Sequence, residues 1–155
     1  TNNGKPDGVS WGTNSKLSEI DCSHLLLRSK YLDAWQRRRR EIRDYYIEEF
    51  KNLPIRCLSK GIDTHSDQKF VVYADNRNEL RTHLLKNGIE TKIHYENALS
   101  ELPFVKSRVK HMPDLMSNSI LLSRGVLSLP IYPELADSEV EYIADTMKAF
   151  YETNS

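Results

Sequence analysis

The sequence predicts an α/β (α+β) chain: helices packed on a small, mostly antiparallel sheet, with a long helix at the N-terminal end. Three observations point there. A 3.6-residue apolar rhythm runs from about Lys16 to Lys51. Short runs rich in β-branched and aromatic residues follow, alternating unevenly with helical patterns. Some successive strands have no helix between them, and a parallel pair needs a long crossover, so the sheet reads as mostly antiparallel.

Taken in order, residues 1–13 carry Asn, Gly, Pro and Ser and read as a loop. In the long helix, Leu17, Ile20, Leu27, Tyr31, Trp35, Ile42 and Tyr46 recur at spacings of helical turns. Leu25, Leu26 and Leu32 widen its first half until it is apolar nearly all round, the pattern of a helix covered on several sides. Pro54 ends the pattern. Ile55–Leu58 suits a short strand and Lys69–Asp75 (KFVVYAD) a better one. Asn76 and Glu79 have capping-box spacing, and Asn87-Gly88 gives the stop of the helix between them. Thr91–Tyr95 reads as a third strand and Leu102–Lys110 as a short helix. Pro113 sits at a first helical position, continued by Asp114–Arg124. Val126–Leu129 is a fourth strand ending at Pro130, and Asp137 suits the cap of a last helix along Val140, Ile143, Met147 and Phe150. Neither an internal repeat nor a low-complexity tract is present.

Length and composition narrow the function classes. A chain of 155 residues fits one domain with a real core. Hydrophobic residues make up 39% and charged residues 28%, an ordinary soluble mix. Lys+Arg and Asp+Glu balance at 22 each, which removes the electrostatic case for nucleic acid or an acidic membrane surface. Two cysteines, Cys22 and Cys57, make neither a disulfide framework nor a metal knuckle and suit a reducing compartment. With no signal-peptide core and no membrane-length apolar run, the expected location is cytoplasmic.

The arginines Arg37–Arg40 do not form a basic stripe, because consecutive helical residues point about 100° apart. Glu41 lies one turn after Arg37 and Asp44 one turn after Arg40, so local ion pairs are expected. His24, His65, His83, His94 and His111 lack metal-ligand spacing, so no metal site is expected. His24, on the apolar helix face, reads as a core histidine; His94 ends a strand, where side chains often face a cleft, although composition alone favours a structural role for it. No GxGxxG, GxxxxGK[ST] or GxSxG run occurs, and no nucleophile can be matched to a base. The residues by themselves describe a binding or accessory domain.

Four segments together resemble the DegT/StrS family of sugar aminotransferases. They are GTNSKLSEI (residues 12–20), KYLDAWQRRRREIRDYY (30–46), NGIETKIHY (87–95) and VLSLPIYPEL (126–135) followed by SEVEYI. Their order and spacing match across nearly the whole chain. The resemblance implies a type I aminotransferase fold, with residues 14–155 as its C-terminal small domain and 1–13 as a loop or remnant of the inter-domain segment. It implies an enzyme dependent on pyridoxal 5'-phosphate that moves an amino group, usually from glutamate, to a nucleotide-linked keto-sugar, for deoxyamino-sugar or surface polysaccharide biosynthesis. A homodimeric parent is implied too.

That chemistry needs a lysine to join the cofactor as a Schiff base, and no lysine here occupies the family's lysine motif, so no catalytic residue is assigned and the chain alone is expected to be inactive and cofactor-free. By resemblance, Asn14 reaches the cofactor phosphate of the neighbouring subunit, a helix N-cap being the other reading. Lys16, His94 and Tyr95 fall near the sugar-nucleotide site. The pattern departs from the family at several points. Lys16 stands where arginine is usual, Asp67 and Gln68 replace a tyrosine-histidine pair, and Glu96–Ser100 replace a proline-rich run. Two hypotheses therefore stand: a domain of such an enzyme, or a stand-alone binding or dimerisation domain that kept the fold. An in-frame cofactor-lysine motif upstream of Thr1 distinguishes them.

Overall fold

The computed structural model describes residues 17–58, 65–108 and 113–153, with only the backbone described at 113–115. By its internal contacts the chain divides after Asp33. The first unit carries helix α1 (Glu19–Ser29), capped by Ser18, whose hydroxyl oxygen accepts from the Asp21 N–H at 3.1 Å. No residue of α1 is buried. Ile20 is 82% and Leu26 70% exposed, so the all-round apolar character read from the sequence is open surface within this chain. His24 is exposed with them and is not a core histidine.

The helical pattern predicted from Lys16 to Lys51 is realised as two helices, α1 and α2 (Leu32–Glu49). At the break the Tyr31 N–H donates to the Arg28 carbonyl, three residues back rather than four, and the Ser29 hydroxyl takes the Leu26 carbonyl. A hydroxyl that competes for a helix carbonyl weakens the ladder where it sits.

The second unit is built on a sheet of three strands, β1 (Arg56–Cys57), β2 (Phe70–Tyr73) and β3 (Val126–Leu129), in the order β1-β2-β3 with both pairings antiparallel. The antiparallel expectation holds. Thr91–Tyr95, expected as a strand, contributes a single antiparallel bridge, Lys92 to Ser128, on the free edge of β3. Alternation along the strands sends Phe70, Val72, Leu127 and Leu129 to one face, where they join the main core. Ile42, Tyr46 and Phe50 of α2, Leu80 and Leu84 of α3 (Arg77–Lys86), and Val140, Ile143, Met147 and Phe150 of the last helix, α6 (Asp137–Thr153), complete that core. Tyr46 and Phe50 stack at 5.4 Å between centroids, and Phe70 closes on both rings.

The opposite face of the sheet carries Val71, Tyr73, Val126 and Ser128. Beyond β2 and α3 lie a 3₁₀ turn (Leu99–Glu101), the short helix α4 (Pro103–Lys106) and α5 (Pro113–Gly125). Helix α5 passes into β3 with no intervening loop. That passage needs a residue without a side chain: a Cβ on Gly125 would lie 2.5 Å from the Tyr73 ring. Gly88, at φ +76°, ends α3 as the Asn87-Gly88 pair predicts.

Several local expectations are replaced by longer-range bonds. Asn76 makes no side-chain cap; its Oδ1 accepts from the Tyr151 hydroxyl at 3.1 Å. Asp137 pairs with Arg38 at 2.7 Å, and the start of α6 is closed by Glu139, which accepts from the Ala136 N–H. The expected Arg37–Glu41 and Arg40–Asp44 pairs are replaced by Arg38–Glu41 and Arg43–Asp44. For the two arginines, Arg38 is only partly exposed and Arg43 is buried, and a desolvated guanidinium keeps the acceptors within its reach.

Candidate functional site

The edge of β3 that accepts Lys92 also fixes the most distinctive side-chain cluster of the second unit. Lys92 and Ser128 exchange both backbone hydrogen bonds, at 3.1 and 2.8 Å. Two residues further on, the His94 Nδ1 lies 2.9 Å from the Ser128 hydroxyl. Ser128 is buried and His94 half-buried. The His94 and Tyr95 rings meet edge to face at 5.7 Å between centroids, and Tyr95 stays 71% exposed. The Lys69 ammonium stands 5.9 Å from the centre of the Tyr95 ring.

Two cavities open on this cluster. The first, of about 670 Å³, lies against the face of the sheet that carries Val71 and Val126 and is walled by Ser119, Leu122 and Ser123 of α5. The second, of about 640 Å³, runs along Ser128, Pro130 and Tyr132 toward Arg39. Gln68, Lys69 and His94 border both. Both volumes fall in the ~300–1,000 Å³ range of small-molecule sites. Burial, then the charges of Lys69 and Lys92, hold the His94 imidazole below its ordinary value, so it is a neutral hydrogen-bonding group near pH 7.

Asp67, noted in the sequence only as a departure from a family pattern, anchors this corner. It is 1% exposed, sits at φ +46°, and accepts from Arg43 Nη1 at 2.6 Å; the exposed His65 ring lies at 3.1 Å. Arg43, 2% exposed, also donates its Nε to Asp44 at 2.8 Å. The hydrogen bond to Asp44 leads the interactions that raise the guanidinium's pKa, against the opposing effect of burial. No sequence signal joins Arg43 to Asp67, which are 24 residues apart, Arg43 on α2 and Asp67 on an irregular segment. Lys69 was missed for a related reason: a lysine beginning a strand reads as surface until its neighbours are known.

Of the residues expected at a site, His94 and Tyr95 are adjacent on the cavity rim. Asn14 and Lys16 lie outside the described residues. Among the described residues no group of three His, Cys, Asp or Glu could hold a metal ion, and no helix is long and apolar enough to cross a membrane. The described residues do not fit a complete seat for a cofactor such as pyridoxal 5'-phosphate. None of their lysines is buried, Lys51, Lys92 and Lys148 are paired with Glu48, Glu90 and Glu49, and Asp67, the buried carboxylate of the first cavity, is committed to Arg43.

Helices on a small antiparallel sheet are the arrangement that this chain shares with solved aminotransferase structures. Residues 2–148 match the DegT/DnrJ/EryC1/StrS aminotransferase family, and the chain belongs to it. It is 32% identical over 143 residues to the erythromycin biosynthesis sensory transduction protein EryC1 of Saccharopolyspora erythraea, covering 89% of this chain and 38% of that protein. It is 31% identical to the dTDP-3-amino-3,6-dideoxy-alpha-D-galactopyranose transaminase of Aneurinibacillus thermoaerophilus, over 90% of this chain and 38% of the relative. The crystal structure of S. venezuelae DesV in complex with a ketimine intermediate superposes with a TM-score of 0.83 at 31% identity, over 93% of this chain and 39% of that one. The chain thus spans somewhat over a third of the length of the relatives it matches.

Proposed function

We propose that this chain is the C-terminal small domain of a pyridoxal-phosphate-dependent aminotransferase that moves an amino group from glutamate to a nucleotide-linked keto-sugar, for deoxyamino-sugar or surface polysaccharide biosynthesis in the cytoplasm. The observation that carries the reading is the family match over residues 2–148 together with 31% identity to a dTDP-amino-sugar transaminase. In this reading His94 and Tyr95 form the substrate-facing rim. His94, anchored through Nδ1 by Ser128, presents Nε2 to hydroxyl or carbonyl oxygens of the sugar. The exposed Tyr95 ring offers an apolar face against which a sugar or base can lie. Asn14 and Lys16 are assigned to a neighbouring subunit's cofactor phosphate and to the sugar-nucleotide, within a homodimer. The cofactor, when bound, supplies the electron sink for amino transfer. Its covalent lysine and the rest of its seat are assigned to a part of the enzyme that these 155 residues do not include.

The test is the complete reading frame that carries these residues, purified with pyridoxal 5'-phosphate and given L-glutamate with dTDP- and UDP-linked keto-sugars. Equal amounts of 2-oxoglutarate and amino-sugar are expected. Failure to turn over any keto-sugar, with a cofactor-loaded protein, would reject the reading. The 155-residue chain alone is expected to keep no visible cofactor absorbance after dialysis; a stoichiometric band that one lysine substitution abolishes would contradict that assignment.

A further inference from the structure

Within the site cluster the charges do not balance. Asp67, the nearest buried carboxylate, is bound by Arg43 at 2.6 Å. Glu90 is bound by Lys92, and that hydrogen bond leads the effects that hold its carboxyl below the usual range. Lys69 is left: half-buried, bordering both cavities, and in no ion pair with a carboxylate among the described residues. A half-buried ammonium with no carboxylate beside it has its charge met only by solvent, and a ligand can supply the missing counter-charge. The neighbours favour an anion over a cation, since Lys69 carries the cluster charge that no carboxylate meets among the described residues and His94 is neutral.

We propose that Lys69 is the anion-recognition residue of this site, taking a phosphate of a phosphorylated ligand at the rim that the two cavities share, with the Tyr95 ring beside it receiving the ligand's flat or apolar part. Phosphate is the chemistry that fits. Lysine binds phosphate as a point charge, whereas a carboxylate is better served by a forked guanidinium. Gln68, on the same rim, supplies an amide donor beside it. The ligand class is a nucleoside diphosphate or its sugar ester. Its identity rests on the proposed function; the anion seat itself does not.

The experiment follows the His94 and Tyr95 ring signals of the 155-residue chain by NMR during titration with thymidine 5'-diphosphate, inorganic pyrophosphate or thymidine. Both phosphate-bearing probes should move these signals, with affinity falling as salt rises, and thymidine should bind at least about tenfold more weakly than its diphosphate. Lys69→Met should weaken the diphosphate about tenfold or more, and Lys69→Arg should keep most of the affinity because the charge is retained. Methyl signals unchanged from the wild type confirm that each variant is folded. The proposal is overturned if Lys69→Met binds like the wild type, if thymidine binds as well as its diphosphate, or if no probe moves the His94 and Tyr95 signals. A Lys69-dependent diphosphate site in an enzyme that aminates no sugar would leave this inference standing and reject the proposed function. Amination without that dependence would do the reverse.

Discussion

Replacing Asp67 with asparagine isolates the charge of the Arg43–Asp67 pair. Asparagine tolerates the positive φ of +46°, so the backbone is not also strained. Both partners are almost fully buried, and the 2.6 Å bond is charge-assisted. Removing one partner of such a pair costs about 3–5 kcal/mol, because the other charge stays buried without compensation. Here the lower end applies. Asp44 still accepts from Arg43 Nε at 2.8 Å, and the asparagine oxygen can keep one weaker bond. We expect a loss of about 3 kcal/mol, a large share of the ~5–15 kcal/mol that holds a domain folded. In urea the midpoint should fall by about 1–3 M at an unchanged slope. Arg43→Met should cost a similar amount. Because removing the second charge relieves the first, the double variant should be less destabilised than the sum of the single losses, by about 2 kcal/mol. Losses below about 1 kcal/mol in both single variants, or strict additivity, would show that the pair does not hold this corner. The loop that presents Lys69 would then need another anchor.

Three further outcomes are expected. Tyr95→Ala should cost less than about 1 kcal/mol by urea unfolding, because its ring is 71% exposed, whereas Phe70→Ala in the core should cost about 3–5; equal losses would place Tyr95 in the core instead of on a cavity rim. Gly125→Ala should cost about 1–3 kcal/mol, since its new Cβ meets the Tyr73 ring at 2.5 Å, and a neutral result in a thermal melt would mean that the ring moves aside freely. Burial, with help from the Asp75 charge, pushes the Tyr151 hydroxyl from its ordinary value of 10.0 up to about 12. The unfolded chain then loses that proton first, so the stability it confers is complete below pH 10 and is lost as pH rises through 12. Thermal melts of Tyr151→Phe across that window should show a shallower decline than the wild type, and identical slopes would remove Tyr151 as a contributor.

Features set by local rhythm could be read before the structure was known. Val140, Ile143, Met147 and Phe150 lie one turn apart, and all four are buried on α6. The β-branched and aromatic run in KFVVYAD likewise placed β2, and Asn87-Gly88 ended α3 where the backbone turns to positive φ. Features that need a partner distant in sequence were not legible. Asn76 and Glu79 have the spacing of a capping box, yet the Tyr151 hydroxyl, 75 residues away, takes the Asn76 side chain. Arg38 has acids a turn away on its own helix, but its shortest bonds reach Asp137 and the Leu135 carbonyl. Nor does any proline or glycine mark the break at Lys30–Tyr31. For the site, strand-end position and resemblance led to His94 and Tyr95. The uncompensated charge of Lys69 emerged only when Asp67 and Glu90 were seen to be engaged elsewhere.

The direct passage from α5 into β3 also determines how the pocket can accommodate ligands of different size. Ser123, in the wall of the first cavity, and Ser128, the partner of His94, belong to one uninterrupted stretch with no flexible joint between them. That stretch is pinned to β2 by four register pairs and by the Ala74 N–H, which donates to the Gly125 carbonyl. This wall is therefore a fixed gauge, and accommodation of a bulkier ligand falls to the facing segment of Tyr95, Asn97 and Leu99, whose side chains are exposed. Because strand side chains alternate, a single residue inserted after Gly125 would put Leu127 rather than Ser128 opposite His94, exchanging a hydroxyl for a hydrocarbon at the point where the imidazole is held.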